Sequence, residues 1–134
     1  MSHELFWLVM TTCLTGLMWV PIIVDRIMVR GMMGAMANPS LTDAAQSPWA
    51  QRLMAAHLNA VENLVIFAPL VLATQDLNVN LATAGTTFAC QLYFYSRLVH
   101  VIVYTLGIPV LRTLAFAGGF IGQVMLALAL FKLS

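Results

Sequence analysis

Apolar residues gather in four runs: Leu5 to Val24, Leu53 to Thr74, Leu81 to Tyr104 and Leu111 to Phe131. Each is about 20 residues long, which at ~1.5 Å rise per residue carries a helix across a ~30 Å hydrocarbon core. The pattern predicts four membrane-spanning helices. The first run has neither a basic leader nor an A-x-A site, so it reads as a retained helix and not as a signal peptide.

The connections between the runs differ in length. The first is the only long one, with Gly31, Gly34, Asn38-Pro39, Thr42-Asp43 and Ser47-Pro48 as turn and helix-start signals. Ser47 is the expected N-cap of the second helix, with Pro48 at its first position. The methionine-rich stretch from Met28 to Met36 either extends the first helix or lies along the membrane surface. The second and third connections, Gln75 to Asn80 and Thr105 to Val110, are short, so consecutive helices should pack as antiparallel neighbours. The expected fold is all-α: an integral-membrane four-helix up-down bundle, one domain spanning residues 1–134. No internal repeat is visible, which argues against a duplicated transporter fold.

Composition agrees with this class, with 61% hydrophobic and 8% charged residues and a mean hydropathy of +0.90. A net charge of +1 offers no basic surface to nucleic acid, so no nucleic-acid partner is expected. Cys13 and Cys90 sit in apolar runs without metal-ligand spacing and read as small buried hydrophobes, with a disulfide left open. Arg26, Arg30 and Arg52 flank the first connection and Arg97 and Arg112 bracket the third, whereas the second has no basic residue. The positive-inside rule then places connections one and three in the cytoplasm and both termini on the opposite side, with Lys132 as a weak contrary sign.

Polar residues inside the apolar runs carry the candidate chemistry, because an ionised side chain in hydrocarbon costs roughly 2.5–3.5 kcal/mol even on lenient scales. The second run holds Arg52-x4-His57-x-Asn59-x2-Glu62. At ~100° per residue, Arg52, Asn59, Glu62 and Asn63 share one stripe about 100° wide, and His57 points the other way. The third run holds Arg97-x2-His100-x3-Tyr104, a narrow stripe that also takes in Tyr93. The two helices run in opposite directions, and both clusters arrive at the cytoplasmic half. A purely structural reading has Glu62 pairing with Arg97 or Arg52, Asn59 and Asn63 acting as interhelical hydrogen-bond glue, and Tyr93, Tyr95 and Tyr104 serving as belt residues. It is the preferred reading for Tyr93, Tyr95 and His57.

These two motifs in this order, followed by Pro109-x2-Arg112 and preceded by Asn38-Pro39, resemble the MAPEG family, membrane-associated proteins in eicosanoid and glutathione metabolism. The resemblance covers nearly the whole chain and is to a bacterial-type member, which implies a bacterial inner membrane. It implies a homotrimer of four-helix bundles in which glutathione, as co-substrate, binds between subunits near the cytoplasmic face. Small lipophilic substrates would reach it from the membrane lipids. Carried over by position, Arg97 and Thr113 are the candidate catalytic residues, and Arg30, Arg52, Asn59, Glu62, His100, Tyr104 and Arg112 the candidate peptide-binding ones. Arginines suit two carboxylates, Glu62 suits an ammonium, and a cationic pocket favours a thiolate. No metal site is expected. The departures are Ala55 and Leu58, where glutathione-using members commonly carry arginines, Thr113 for a serine, and Phe116 without a phenol.

The expected function is therefore a membrane-bound glutathione-dependent transferase or peroxidase acting on lipophilic electrophiles or hydroperoxides. The alternative within the same fold is a non-enzymatic lipid-binding or scaffold protein, favoured by Ala55 and Leu58. A small proton-coupled exporter is the third reading, and the lack of an acid before Asp25 in the first helix counts against it.

Overall fold

The computed structural model describes residues 1–76 and 84–132. Five helical segments follow in order: α1 (His3–Leu17), α2 (Trp19–Met36), α3 (Pro48–Asp76), α4 (Ala84–Leu106) and α5 (Pro109–Phe131). There is no strand among the described residues. α1 starts where Ser2 caps it, the Ser2 Oγ accepting from the Leu5 amide at 3.2 Å. α1 and α2 form one rod, since Met18 between them keeps helical angles (φ −61, ψ −29). The interruption there follows from Pro21, which has no N–H to give to the Leu17 carbonyl one turn back. The rod breaks at Gly31, whose φ of 70° and ψ of 169° are open to glycine alone. A last methionine-rich turn then runs to Met36, so that stretch does extend the first helix. α3 starts at Pro48, directly after Ser47.

Hydrogen bonds fix how the four rods run. Glu4, at the start of α1, accepts from Thr86 Oγ1 at 2.8 Å and Thr87 Oγ1 at 2.9 Å, near the start of α4. Arg52, near the start of α3, donates from Nε to the Thr105 carbonyl at the end of α4 at 2.8 Å. The first rod and α4 are therefore parallel, and α3 is antiparallel to both. The two-residue turn at Gly107-Ile108 returns α5 antiparallel to α4, giving the up-down-up-down order. One end of the bundle collects Arg26, Arg30, Arg52 and Arg112, and the other carries Glu4. The second connection, Gln75 to Asn80, lies largely outside the described residues.

Three rods are long and apolar enough to cross a membrane: His3–Met36, Pro48–Gln75 and Pro109–Phe131. α4 has the length, at 23 residues, but its arginine, histidine and threonines lower its hydropathy. The chain is an integral membrane bundle. Its inner packing centres on Phe67 of α3, stacked on Tyr93 of α4 at 3.8 Å between ring centroids, with Val71, Ala89, Cys90 and Leu126 around them.

Two expectations change here. Tyr93 is wholly buried and belongs to the core and not to a belt, whereas Tyr95 is exposed. Cys90 is buried as expected, but Cys13 faces outward, and both are free thiols. α1 starts before Leu5 and takes in Glu4, which is wholly buried, so the first helix does hold an acid before Asp25.

Candidate functional site

α4 and α5 pack closely because α5 has glycines where it meets α4. A Cβ on Gly122 would lie 2.8 Å from the Ala89 carbonyl, and one on Gly119 would lie 2.6 Å from Arg97 Nη2 and 2.9 Å from Nε. Gly119 thus makes the space in which the Arg97 guanidinium sits. That side chain is 2% exposed, with its guanidinium carbon 5.3 Å from both the Tyr93 and the Phe116 ring centroids. Its Nη1 donates to Asn59 Oδ1 at 3.0 Å. Nε and Nη2 are buried and have no hydrogen-bond partner among the described residues. No carboxylate pairs with it: among the described residues the ion pair is Arg30–Asp43. A buried cation with two of its three nitrogens unpaired and no counterion is costly to hold.

Beside it, Asn59 of α3, His100 and Tyr104 of α4, and Arg112, Thr113 and Phe116 of α5 line a cleft of about 210 Å³. His100 is 3% exposed, its Nδ1 is buried without a partner among the described residues, and its ring meets that of Tyr104 edge-on at 5.4 Å. Arg112 lies over the Tyr104 ring at 4.5 Å. The cleft holds two phenyl-type rings, an imidazole, an amide, a hydroxyl and a guanidinium, with a second guanidinium directly behind Asn59. It has no acid. Such a lining favours an anionic ligand and stabilises a thiolate over a thiol.

The candidate residues fall into three sets. Asn59, His100, Tyr104, Arg112 and Thr113 come together in the cleft, and Arg97 reaches it through Asn59. Thr113 already donates its hydroxyl to the Pro109 carbonyl at 3.1 Å, which leaves it acceptor capacity only. Arg52 lies off the cleft on the Thr105 carbonyl. Arg30 is tied to the first connection, with Nη1 on Asp43 Oδ2 at 2.9 Å and Nε on the Ala44 carbonyl at 2.8 Å. Glu62, at the edge of the α3 stripe, is exposed and forms neither of the pairs the structural reading offered. Asn63 does not act as interhelical glue through its side chain, whose Nδ2 donates to the Asn59 carbonyl of the same helix at 2.8 Å; its backbone carbonyl accepts from Gln123 Nε2 at 3.1 Å.

Phe116, Gly119 and Gln123 were not among the expected site residues. Arg112, Phe116, Gly119 and Gln123 follow one another at helical spacing on one face of α5, and that run is the sequence signal that marks them.

A family model described as the MAPEG family matches residues 5–132 of the chain. Neither a curated protein nor a solved structure matches it.

Proposed function

The chain belongs to the MAPEG family, and from that premise we propose that it is a glutathione-dependent transferase or peroxidase acting on lipophilic electrophiles or hydroperoxides within the membrane. The observation that carries this reading is Arg97, a buried guanidinium with two nitrogens unpaired and no counterion among the described residues, set behind a cleft with no acid of its own. The glutathione thiolate is the anion assigned to this end of the bundle. Arg97 and Arg112 lower the free energy of the charged sulfur, Asn59 holds Arg97 in place, and Tyr104 and His100 supply further polar contacts. The thiol gives up its proton, and the sulfur forms a bond to an electrophilic carbon as the leaving group departs with its electron pair. With a hydroperoxide it takes the terminal oxygen, and a second glutathione completes the reduction to alcohol, water and disulfide.

The arginine-bearing end faces the cytoplasm in this reading, in a bacterial inner membrane. A cleft of about 210 Å³ is smaller than the ~300–1,000 Å³ usual for a ligand site, and the exposed Glu62 sits on an otherwise apolar helix face. Both features fit a homotrimer in which neighbouring copies complete the site and Glu62 meets the peptide ammonium. The test is turnover of glutathione with 1-chloro-2,4-dinitrobenzene or cumene hydroperoxide. Arg97→Ala is expected to lower kcat by about 100-fold or more, the magnitude typical of removing one preorganised charge-stabilising donor. Full activity in Arg97→Ala removes that role. No activity in the wild type with any electrophile favours the lipid-binding alternative.

A further inference from the structure

α4 has a second groove on the side opposite the cleft. At ~100° per residue, His100 and Tyr104 point one way, Ile102 and Thr105 point roughly the other way, and Val101 lies between them. On that side Leu14, Leu17 and Met18 of the first rod, Trp49 and Leu53 of α3, and Ile102 of α4 wall an open groove of about 470 Å³. Its lining is apolar almost throughout, and it runs along the bundle from Trp49 and Leu106 at the arginine-bearing end to Leu14 deeper in. At that end stands Arg52. Its Nε is held on the Thr105 carbonyl, and Gly107 (φ 79°) lies against it, since a Cβ there would come within 3.3 Å of Nε. The two Nη groups make no hydrogen bond among the described residues.

We propose that this groove binds an anionic membrane phospholipid, with one acyl chain lying in the groove and the phosphate on Arg52. The occupant follows from the distribution of charge. An acyl chain gains little by moving from lipid to an equally apolar wall, so the groove alone selects nothing. The one fixed cation at its mouth selects for an anionic headgroup, at the depth where headgroups lie. Basic pockets between membrane helices recognise anionic lipids in this manner. The thiolate reading assigns Arg52 no contact in the cleft, and the two proposals stand or fall separately.

The experiment is native mass spectrometry of the detergent-purified protein with palmitoyl-oleoyl phosphatidylglycerol or the phosphatidylcholine of identical chains. The wild type is expected to retain the anionic lipid about fivefold better, the ratio that one basic residue near a headgroup supplies. Arg52→Gln equalises the two lipids, and Arg52→Lys keeps the preference, which separates lost charge from lost folding. Ile102→Trp changes an exposed position and fills the groove, and it removes the preference with Arg52 in place. Equal retention by the wild type overturns the proposal. So does a preference that survives either Arg52→Gln or Ile102→Trp.

Discussion

Arg97 makes one side-chain hydrogen bond from a group that offers five donors, and its place depends on what its neighbours lack. Gly119 lacks a side chain, and Tyr93 and Phe116 offer ring faces in place of a carboxylate. Gly119→Ala is therefore expected to displace the guanidinium and to weaken glutathione binding much as Arg97→Ala does, with every cleft side chain retained. Overpacking at that site costs about 1–3 kcal/mol, so the thermal midpoint in detergent also falls. Gly31→Ala is the control. Its left-handed φ strains a non-glycine residue by roughly 1–2 kcal/mol at a position that does not line the cleft, and it should lower the midpoint while leaving glutathione affinity unchanged. The grouping of Arg97, His100 and Tyr104 was legible from residue type and spacing. The space at Gly119 was not, because a glycine in an apolar helix carries no sign of what it admits. The route of Arg52 to the Thr105 carbonyl was hidden for a related reason, as it depends on the height at which two separate helices cross.

The apolar runs marked where helices lie better than where they end. α1 starts at His3 because Ser2 caps it, and the first rod runs past Val24 to Gly31 because nothing between Pro21 and Gly31 stops it. The capping serine is a local signal that hydropathy alone overlooks, and with it went Glu4. That carboxylate joins the starts of α1 and α4 by accepting two threonine hydroxyls. Glu4→Gln keeps an oxygen for both threonines and should leave the thermal midpoint close to that of the wild type. Glu4→Ala removes the acceptor and should cost about 1–3 kcal/mol, the penalty of an unmade buried hydrogen bond. Thermal unfolding followed by circular dichroism separates the two. The antiparallel order of α4 and α5 was legible from connection length, because a short connection leaves no path but the adjacent antiparallel one.

For the molecule as a whole, the uneven placement of charge ties fold to function. Four arginines gather at one end, and the buried cation behind the cleft has no carboxylate partner among the described residues. Glu62 is exposed on a helix whose neighbouring surface positions are Val61, Val65 and Ile66, a face that hydrocarbon would not accept beside a carboxylate. Assembly that covers this face should give a trimer mass by light scattering, and Glu62→Arg should shift it to smaller species by placing a cation at the contact. Such a surface is not legible in one chain's periodicity, since a helix facing a second copy has the same pattern as one facing its own core. Whether Arg97 draws a thiolate is decided by ultraviolet thiolate absorbance as glutathione is titrated into the purified protein, with Arg97→Ala in parallel. A saturable thiolate signal that disappears in the variant is expected. A wild type that produces no thiolate signal, or a signal equally strong in Arg97→Ala, contradicts the thiolate role of Arg97.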